Sequence, residues 1–105
     1  MYKVRYSVQA EEDLHDAIDY IAKESVSVAL NYLKGYEDNI ELLQSNPLMG
    51  ISCRSKCIEI DCRILIYKSH LIIYRINCDT NEILIIRVYH HTKDYINDLK
   101  KKKIL

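Results

Sequence analysis

Residues 61–94 read DCRILIYKSHLIIYRINCDTNEILIIRVYHHTKD. Two short polar interruptions in this stretch constrain the chain more than any other feature. Lys68-Ser69-His70 and Cys78-Asp79-Thr80-Asn81 leave room only for tight turns. The apolar runs they separate, at 58–68, 70–77 and 82–90, are rich in Ile, Leu and Tyr. Short connections between such runs imply an antiparallel meander, because parallel neighbours need long crossovers. Each run carries one arginine: Arg63, Arg75 and Arg87. The last run ends in the polar cluster Tyr89-His90-His91-Thr92-Lys93-Asp94.

Side chains alternate along a strand, so the runs can be divided into faces. Ile58, Ile60, Cys62, Ile64 and Ile66 share one face of the first run. Ile72, Tyr74 and Ile76 share one in the second, and Leu84, Ile86, Val88 and His90 one in the third. That set is the drier one and is expected to take the helices. Arg63, Leu65 and Tyr67, then Leu71, Ile73 and Arg75, then Ile83, Ile85, Arg87 and Tyr89 fall on the other face. All three arginines then point the same way if no bulge intervenes. An open sheet face bearing arginines and tyrosines is a candidate binding surface, and its apolar content suits cover by a partner protein.

Upstream, Tyr2, Val4 and Tyr6 alternate with Lys3 and Arg5, as in a half-buried strand. Ser7 is placed to cap a helix. Ala10, Leu14, Ala17, Ile18 and Ile21 then recur at helical spacing over residues 8–23. After a break at 24–27, Ala29, Leu30, Leu33, Tyr36, Ile40 and Leu43 define a second helix to about residue 44. Gly35 lies inside it at a cost of roughly 1 kcal/mol relative to Ala, which points to close approach of another element. Asn46-Pro47 ends it, and the short connection between the helices implies an antiparallel hairpin. Residues 51–57 read as loop. The expected fold is α+β: an N-terminal strand and an antiparallel helical hairpin packed on an antiparallel sheet of three to four strands. Residues 1–95 form the domain, and 96–105, with lysines at 100–103, form a short helix or mobile basic tail.

Fifteen basic and fifteen acidic residues cancel, which argues against a protein that holds nucleic acid by charge alone. The opening MYKVRYSVQ has no apolar run of the secretory type, and no segment approaches the roughly 18 apolar residues of a membrane span. The expected compartment is the cytoplasm, with no membrane partner. Cys53, Cys57, Cys62 and Cys78 are expected there as reduced thiols and small hydrophobes. Cys53-x3-Cys57-x4-Cys62 lacks the close ligand pairs of a zinc site, so no metal or cofactor is expected. The carboxylates of the first helix read as a solvated face. His90 and His91, adjacent on a strand, are expected to point oppositely, one half-buried and one exposed. Arg63, Arg75 and Arg87 read equally well as phosphate or carboxylate contacts and as partners of Glu59, Asp61 and Glu82.

Four pieces in order resemble the ParE/RelE superfamily of bacterial toxins. Ser7, Ala10, Asp13, Leu14, Ala17, Ile18, Tyr20 and Ile21 open the first helix in the family manner. Leu43-x-x-x-Pro47-x-x-Gly50 closes the hairpin. Arg63 and the strand Leu71-Ile72-Ile73-Tyr74-Arg75-Ile76 follow. Arg87-Val88-Tyr89-His90-His91-Thr92-Lys93-Asp94 is similar to the ParE-branch ending His-x-x-Arg-Asp, with Lys93 in place of the arginine. The resemblance implies a cognate antitoxin, a toxin–antitoxin hetero-oligomer and, on the ParE side, inhibition of DNA gyrase. Arg63, Arg75, Arg87, Tyr89, Lys93 and Asp94 would then form the target surface. The RelE side implies instead a ribosome-dependent mRNA endonuclease. His90 or His91 would be its acid/base, and Arg63, Arg87 and Tyr95 would be the other catalytic candidates. A third alternative is an inactive toxin fold kept as a binding module.

Overall fold

The computed structural model describes residues 1–56 and 61–102. The chain runs β1 (Lys3–Tyr6), α1 (Val8–Glu24), α2 (Val26–Ser45), a 3-10 turn (Pro47–Met49), β2 (Ile51–Ser52), a second 3-10 turn (Cys53–Lys56), β3 (Arg63–Tyr67), β4 (His70–Asn77), β5 (Glu82–His90) and α3 (Tyr95–Lys102). The fold is α+β, as the periodicities imply. Among the described residues the sheet has five strands in the order β1-β5-β4-β3-β2. It is mixed rather than purely antiparallel, because β1 pairs with β5 in parallel. The helical hairpin supplies the crossover that a parallel pair needs.

Ser7 fixes where α1 begins. Its side chain accepts from the Ala10 amide at 3.0 Å, while its hydroxyl donates to the Ile86 carbonyl at 2.7 Å. Only Ser25 separates the two helices, and its hydroxyl caps α2 at the Val28 amide. Residues 51–57, read as loop, instead begin with the short strand β2, whose Ile51 lies opposite Ile64. The start of the first apolar run, 58–60, lies outside the described residues.

The expected faces need correction. In β4–β5, Ile73 faces Arg87 but Tyr74 faces Ile85. Ile86 is thus the extra residue of a bulge, which reverses parity along β5. The helix side of the sheet carries Leu65 and Tyr67, then Ile72, Tyr74 and Ile76, then Ile83, Ile85 and Val88. The other side buries Cys62, Ile64, Leu71, Ile73 and Tyr89 under Leu99, Tyr95 and Ile96 of α3. Directly opposed residues share a face, so Leu65 follows Ile72, and the assignment for β3 was inverted. Arg63 lies on the helix side at its rim, whereas Arg75 and Arg87 lie on the α3 side.

Gly35 sits where α2 meets β3. A Cβ there would overlap the Tyr67 hydroxyl and lie 3.2 Å from its Cζ. That hydroxyl donates to the Tyr32 carbonyl at 2.9 Å, so it cannot swing aside without losing a buried bond. We expect Gly35→Ala to destabilise the fold by about 1–2 kcal/mol, the overpacking cost exceeding the gain in helix propensity. In urea unfolding, Tyr67→Phe should be less damaging in the Gly35→Ala background than in the wild type, because it removes the overlapping atom.

Candidate functional site

Three groups of side chains carry the polar chemistry. The first joins α1, β5 and α3. Arg87, 9% exposed, forks onto Asp13 through Nε at 2.8 Å and Nη2 at 3.2 Å. Its Nη1 reaches Asp98 at 3.3 Å. Asp13 also accepts the Val88 amide at 3.0 Å, and the Tyr89 hydroxyl donates to Asp98. The guanidinium lies 4.6 Å from the Tyr89 ring centroid, where a cation meets the negative face of the ring. Burial alone would lower the Arg87 pKa, but the hydrogen bonds and charge of Asp13, with Tyr89 and Asp98, outweigh it and raise it. Burial and then the bond to Asp98 raise that of the Tyr89 phenol. Asp13, read as part of a solvated acidic face, is instead an interior partner. Its helix position, nearly two turns after the Ser7 cap, turns it toward β5.

The second group is histidine-rich and sits at the β3–β4 turn. His70 begins β4 opposite His90 at the end of β5. It is buried, and its Nδ1 is bonded to the Tyr32 hydroxyl. Its ring lies 5.3 Å from that of His90, edge to face, and the rings of His90 and His91 are 4.5 Å apart. His90 and His91 do not diverge as expected. The strand ends at His90, and the His91 amide turns back to the Ser69 carbonyl at 2.8 Å. Both are exposed, and the buried imidazole is His70, whose place beside a turn carries no sign of burial. The register at the β4–β5 turn, Asn77 with Glu82, would pair His70 with Tyr89, and the bulge at Ile86 shifts that partner to His90. His90 accepts the Thr92 amide at 3.2 Å through Nδ1. Lys93 is exposed. Asp94 caps α3 through Asn97, and Tyr95 packs beside Tyr89 with ring centroids 6.3 Å apart.

The third is an open groove of about 900 Å³ between the end of α2 and the sheet, at the other end of β4. Leu42, Leu48, Met49 and Ile76 make it apolar, and Arg63 and Arg75 stand in its wall. Arg63 is anchored, donating to the Gly50 carbonyl at 2.7 Å and the Leu48 carbonyl at 3.3 Å. Arg75 is half-buried. The three arginines therefore do not form one surface: two border a groove and one is interior.

Nearby, Cys53 and Cys62 form a disulfide, their Cα atoms 5.3 Å apart, in place of the two reduced thiols expected. The β2–β3 ladder explains it. Ser52 faces Arg63, so the next pair outward is Cys53 and Cys62, at a separation a disulfide spans. Cys57 lies outside the described residues, and Cys78 is a free, exposed thiol. Among the described residues no group of three or more His, Cys, Asp or Glu is placed to hold a metal ion. No helix among them is long and apolar enough to cross a membrane.

Two outcomes follow from these contacts. Arg87→Ala strands two half-buried carboxylates and should cost about 3 kcal/mol in urea unfolding, the low end of the range for breaking a buried ion pair. Arg87→Lys keeps the charge without the fork and should recover only part of it. His70 gives a pH effect. Burial, then the charges of His90 and His91, lower its pKa in the folded state. The unfolded chain thus binds its proton more readily, so folding stability is full above the ordinary histidine pKa of about 6.5 and declines as pH falls below it. His70→Gln should flatten that decline, and an NMR titration should place the His70 midpoint below the ordinary value.

The comparisons with known proteins agree with this architecture. The family model for the ParE toxin of type II toxin–antitoxin systems, parDE, matches residues 4–95. None of the curated proteins matches the chain. Among solved structures, the chain is similar to one in the chromosomal ParDE system of P. aeruginosa, with 20% identity and a TM-score of 0.66 over 86% of this chain and 96% of that one. It is similar to one in the RelBE2 toxin–antitoxin complex of Mycobacterium tuberculosis, at 24% identity and 0.57 over 85% and 96%. A metal-bound toxin from Helicobacter pylori matches at 18% and 0.59 over 88% and 97%. At these identities the structures speak to the fold alone. The family model, covering most of the chain, goes further: this chain belongs to the ParE toxin family of type II toxin–antitoxin systems.

Proposed function

We propose that this toxin acts on DNA gyrase and is neutralised by a cognate antitoxin. The observation that carries the reading is the state of Arg87. A nuclease needs cations free to hold phosphate and to meet charge as it develops. Arg87, the arginine nearest the histidines, is buried and faces the carboxylates of both Asp13 and Asp98. The α3 side of the sheet, where an open arginine face was expected, is occupied by Leu99, Tyr95 and Ile96. With equal numbers of acidic and basic residues, recognition of a protein target fits better than threading along RNA. The ParE family match supports the same choice.

The antitoxin reading draws on the neighbours described as toxin–antitoxin systems. The groove between α2 and the sheet, apolar with Arg63 and Arg75 in its wall, suits a segment that carries apolar and acidic residues. The exposed end formed by His90, His91 and Lys93 is left for the target. Arg87 and Tyr89 position that end from within, and Asp94 holds the start of α3.

The test is a supercoiling assay with purified gyrase beside a cell-free translation reaction. Supercoiling should be inhibited with translation intact. Intact supercoiling with mRNA cut at the ribosome would replace the proposal with a ribosome-dependent nuclease using His90 or His91. No effect in either assay, with antitoxin binding retained, would indicate an inactive binding module. Lys93→Glu should weaken gyrase inhibition and leave antitoxin binding unchanged, whereas Arg75→Glu should do the reverse.

A further inference from the structure

The Cys53–Cys62 disulfide stands where the groove meets the sheet. Cys62 lines the groove beside Arg63, Tyr74 and Arg75. Cys53 is fully buried and Cys62 is 4% exposed, so the part of the bond that reaches solvent does so at Cys62. The bond closes the end of β2, a strand of two residues that pairs Ile51 with Ile64 and Ser52 with Arg63. Cys53 extends that ladder, its amide donating to the Cys62 carbonyl at 2.9 Å. So short an edge strand has little hold of its own. Its position matters to the groove, because the peptide group entering β2 carries the Gly50 carbonyl, which accepts from Arg63 at 2.7 Å. Tyr74 holds Pro47 and Gly50 from the other side. Opening the disulfide therefore loosens β2 and the Arg63 anchor without unfolding the turn. On their inner side the two cysteines pack with Ile64, Leu71, Ile73 and Leu99. That setting accepts two thiols as small hydrophobes, so the opening is reversible.

With gyrase as the target, as proposed above, the toxin works where thiols are kept reduced. There a disulfide answers to redox conditions rather than serving as a permanent staple. We infer, resting on that reading of the compartment and of the groove's occupant, that the Cys53–Cys62 bond is a redox switch on the groove. Closed, it holds the Arg63 wall in place for the antitoxin segment, and open, it weakens that hold. The reductant is a low-molecular-weight thiol that bears carboxylates. Its thiolate attacks the Cys62 sulfur, the S–S bond breaks, and Cys53 leaves as a thiolate that takes up a proton. A second small thiolate then displaces Cys62, which is protonated in turn. Two electrons have passed to the protein, and the two small thiols end as their own disulfide. Arg63 and Arg75 draw the carboxylates of such a thiol into the groove. Because the closed form binds the antitoxin segment more tightly, the segment in turn shifts the bond toward its closed form by the same factor.

The experiment uses the full chain with Cys78→Ser, since Cys78 is a free thiol that lines the same groove. The oxidised chain is treated with reduced glutathione or with neutral 2-mercaptoethanol, and iodoacetamide trapping with peptide mass mapping follows the Cys53–Cys62 bond. Glutathione should open it. Arg75→Glu should slow glutathione at least about threefold and leave 2-mercaptoethanol within about twofold. In the reduced chain exchange of the Cys53 amide should quicken at least about tenfold, with that of Ile72 unchanged. The capped peptide Glu-Leu-Glu-Leu-Leu-Glu should bind the oxidised chain at least about fivefold more tightly than the reduced one. The doubly substituted Cys53→Ser, Cys62→Ser chain should bind it at the reduced level. A bond that stays closed in glutathione would overturn the switch and make it a staple. So would equal peptide affinity in the two forms. Arg75→Glu reduced by both thiols at the unsubstituted rate would overturn the anionic thiol as reductant. A peptide that binds neither form would refute the occupant, and reduction with Cys53 exchange would then decide the switch. Gyrase is absent from these assays, so failure of the target assignment shows separately, in the supercoiling assay.

Discussion

The Asp13–Arg87 pair ties together parts of the chain that lie far apart in sequence. It joins the first helix to the last strand, and through Asp98 it reaches the last helix. Two points on α1 grip β5 around its bulge. Ser7 binds the Ile86 carbonyl, and Asp13 binds the Val88 amide. Ile86 itself has no partner across the ladder. A bulge exposes backbone groups that a regular pair would satisfy, and here the helix satisfies them. Desolvating a guanidinium and a carboxylate is costly, and a pair of this kind adds little net stability over an apolar substitute. Its contribution is orientation, since α1 can sit on β5 in only one register that lets Asp13 meet both Arg87 and the Val88 amide.

The same preference for directional contacts runs through the core. The chain has nine tyrosines and no phenylalanine or tryptophan, so every aromatic ring buried under the helices brings a hydroxyl with it. Each one has found a partner. Tyr6 and Tyr36 pair at 2.9 Å, and Tyr67 donates to the Tyr32 carbonyl. Tyr74 donates to the Pro47 carbonyl at 2.7 Å and accepts from the Gly50 amide at 2.9 Å. Among the described residues no buried side-chain nitrogen or oxygen lacks a hydrogen bond. Burial pushes the phenols of Tyr6, Tyr36 and Tyr74 up in pKa, so they stay neutral donors. Tyr74 shows the consequence for the surface. By gripping both Pro47 and Gly50 it fixes the 3-10 turn whose Leu48 and Met49 line the groove.

Much of the fold was legible in the sequence because local signals were strong there. Ser7 and Ser25 caps, the spacing of Ala10, Leu14 and Ile18, and the turn at Pro47 each specify structure within a few residues. The strand faces were not, and the reason is physical. Alternation separates faces only when one of them meets water. In β3 the run Ile64-Leu65-Ile66 is apolar on both parities, since the hairpin covers one side of the sheet and α3 part of the other. The bulge at Ile86 carries no glycine to announce it, and it depends on Ser7, far away in the chain. Arg87 was misjudged on the same account. An arginine in a strand with no acidic neighbour opposite looks free, and Asp13 lies on another element altogether. The His70–His90 apposition was hidden by the same bulge, since the register at the turn alone sets His70 opposite Tyr89.

With the hairpin over one sheet face and α3 over the middle of the other, recognition falls mainly on the ends and edges. That confinement separates tasks that an open arginine face would have combined. The interior arginine sets the positions of α1, β5 and α3, and its loss would disturb every surface at once. The arginines of the groove and the histidine-bearing turn lie on different parts of the rim, each built on a different connection. A charge changed at one of them leaves the ion pair beneath untouched, because exposed sites that share no partner act independently. A protein that must meet both a target and a neutralising partner gains from such separation. Contacts to one can drift without loosening those to the other, provided Asp13 and Arg87 stay in place.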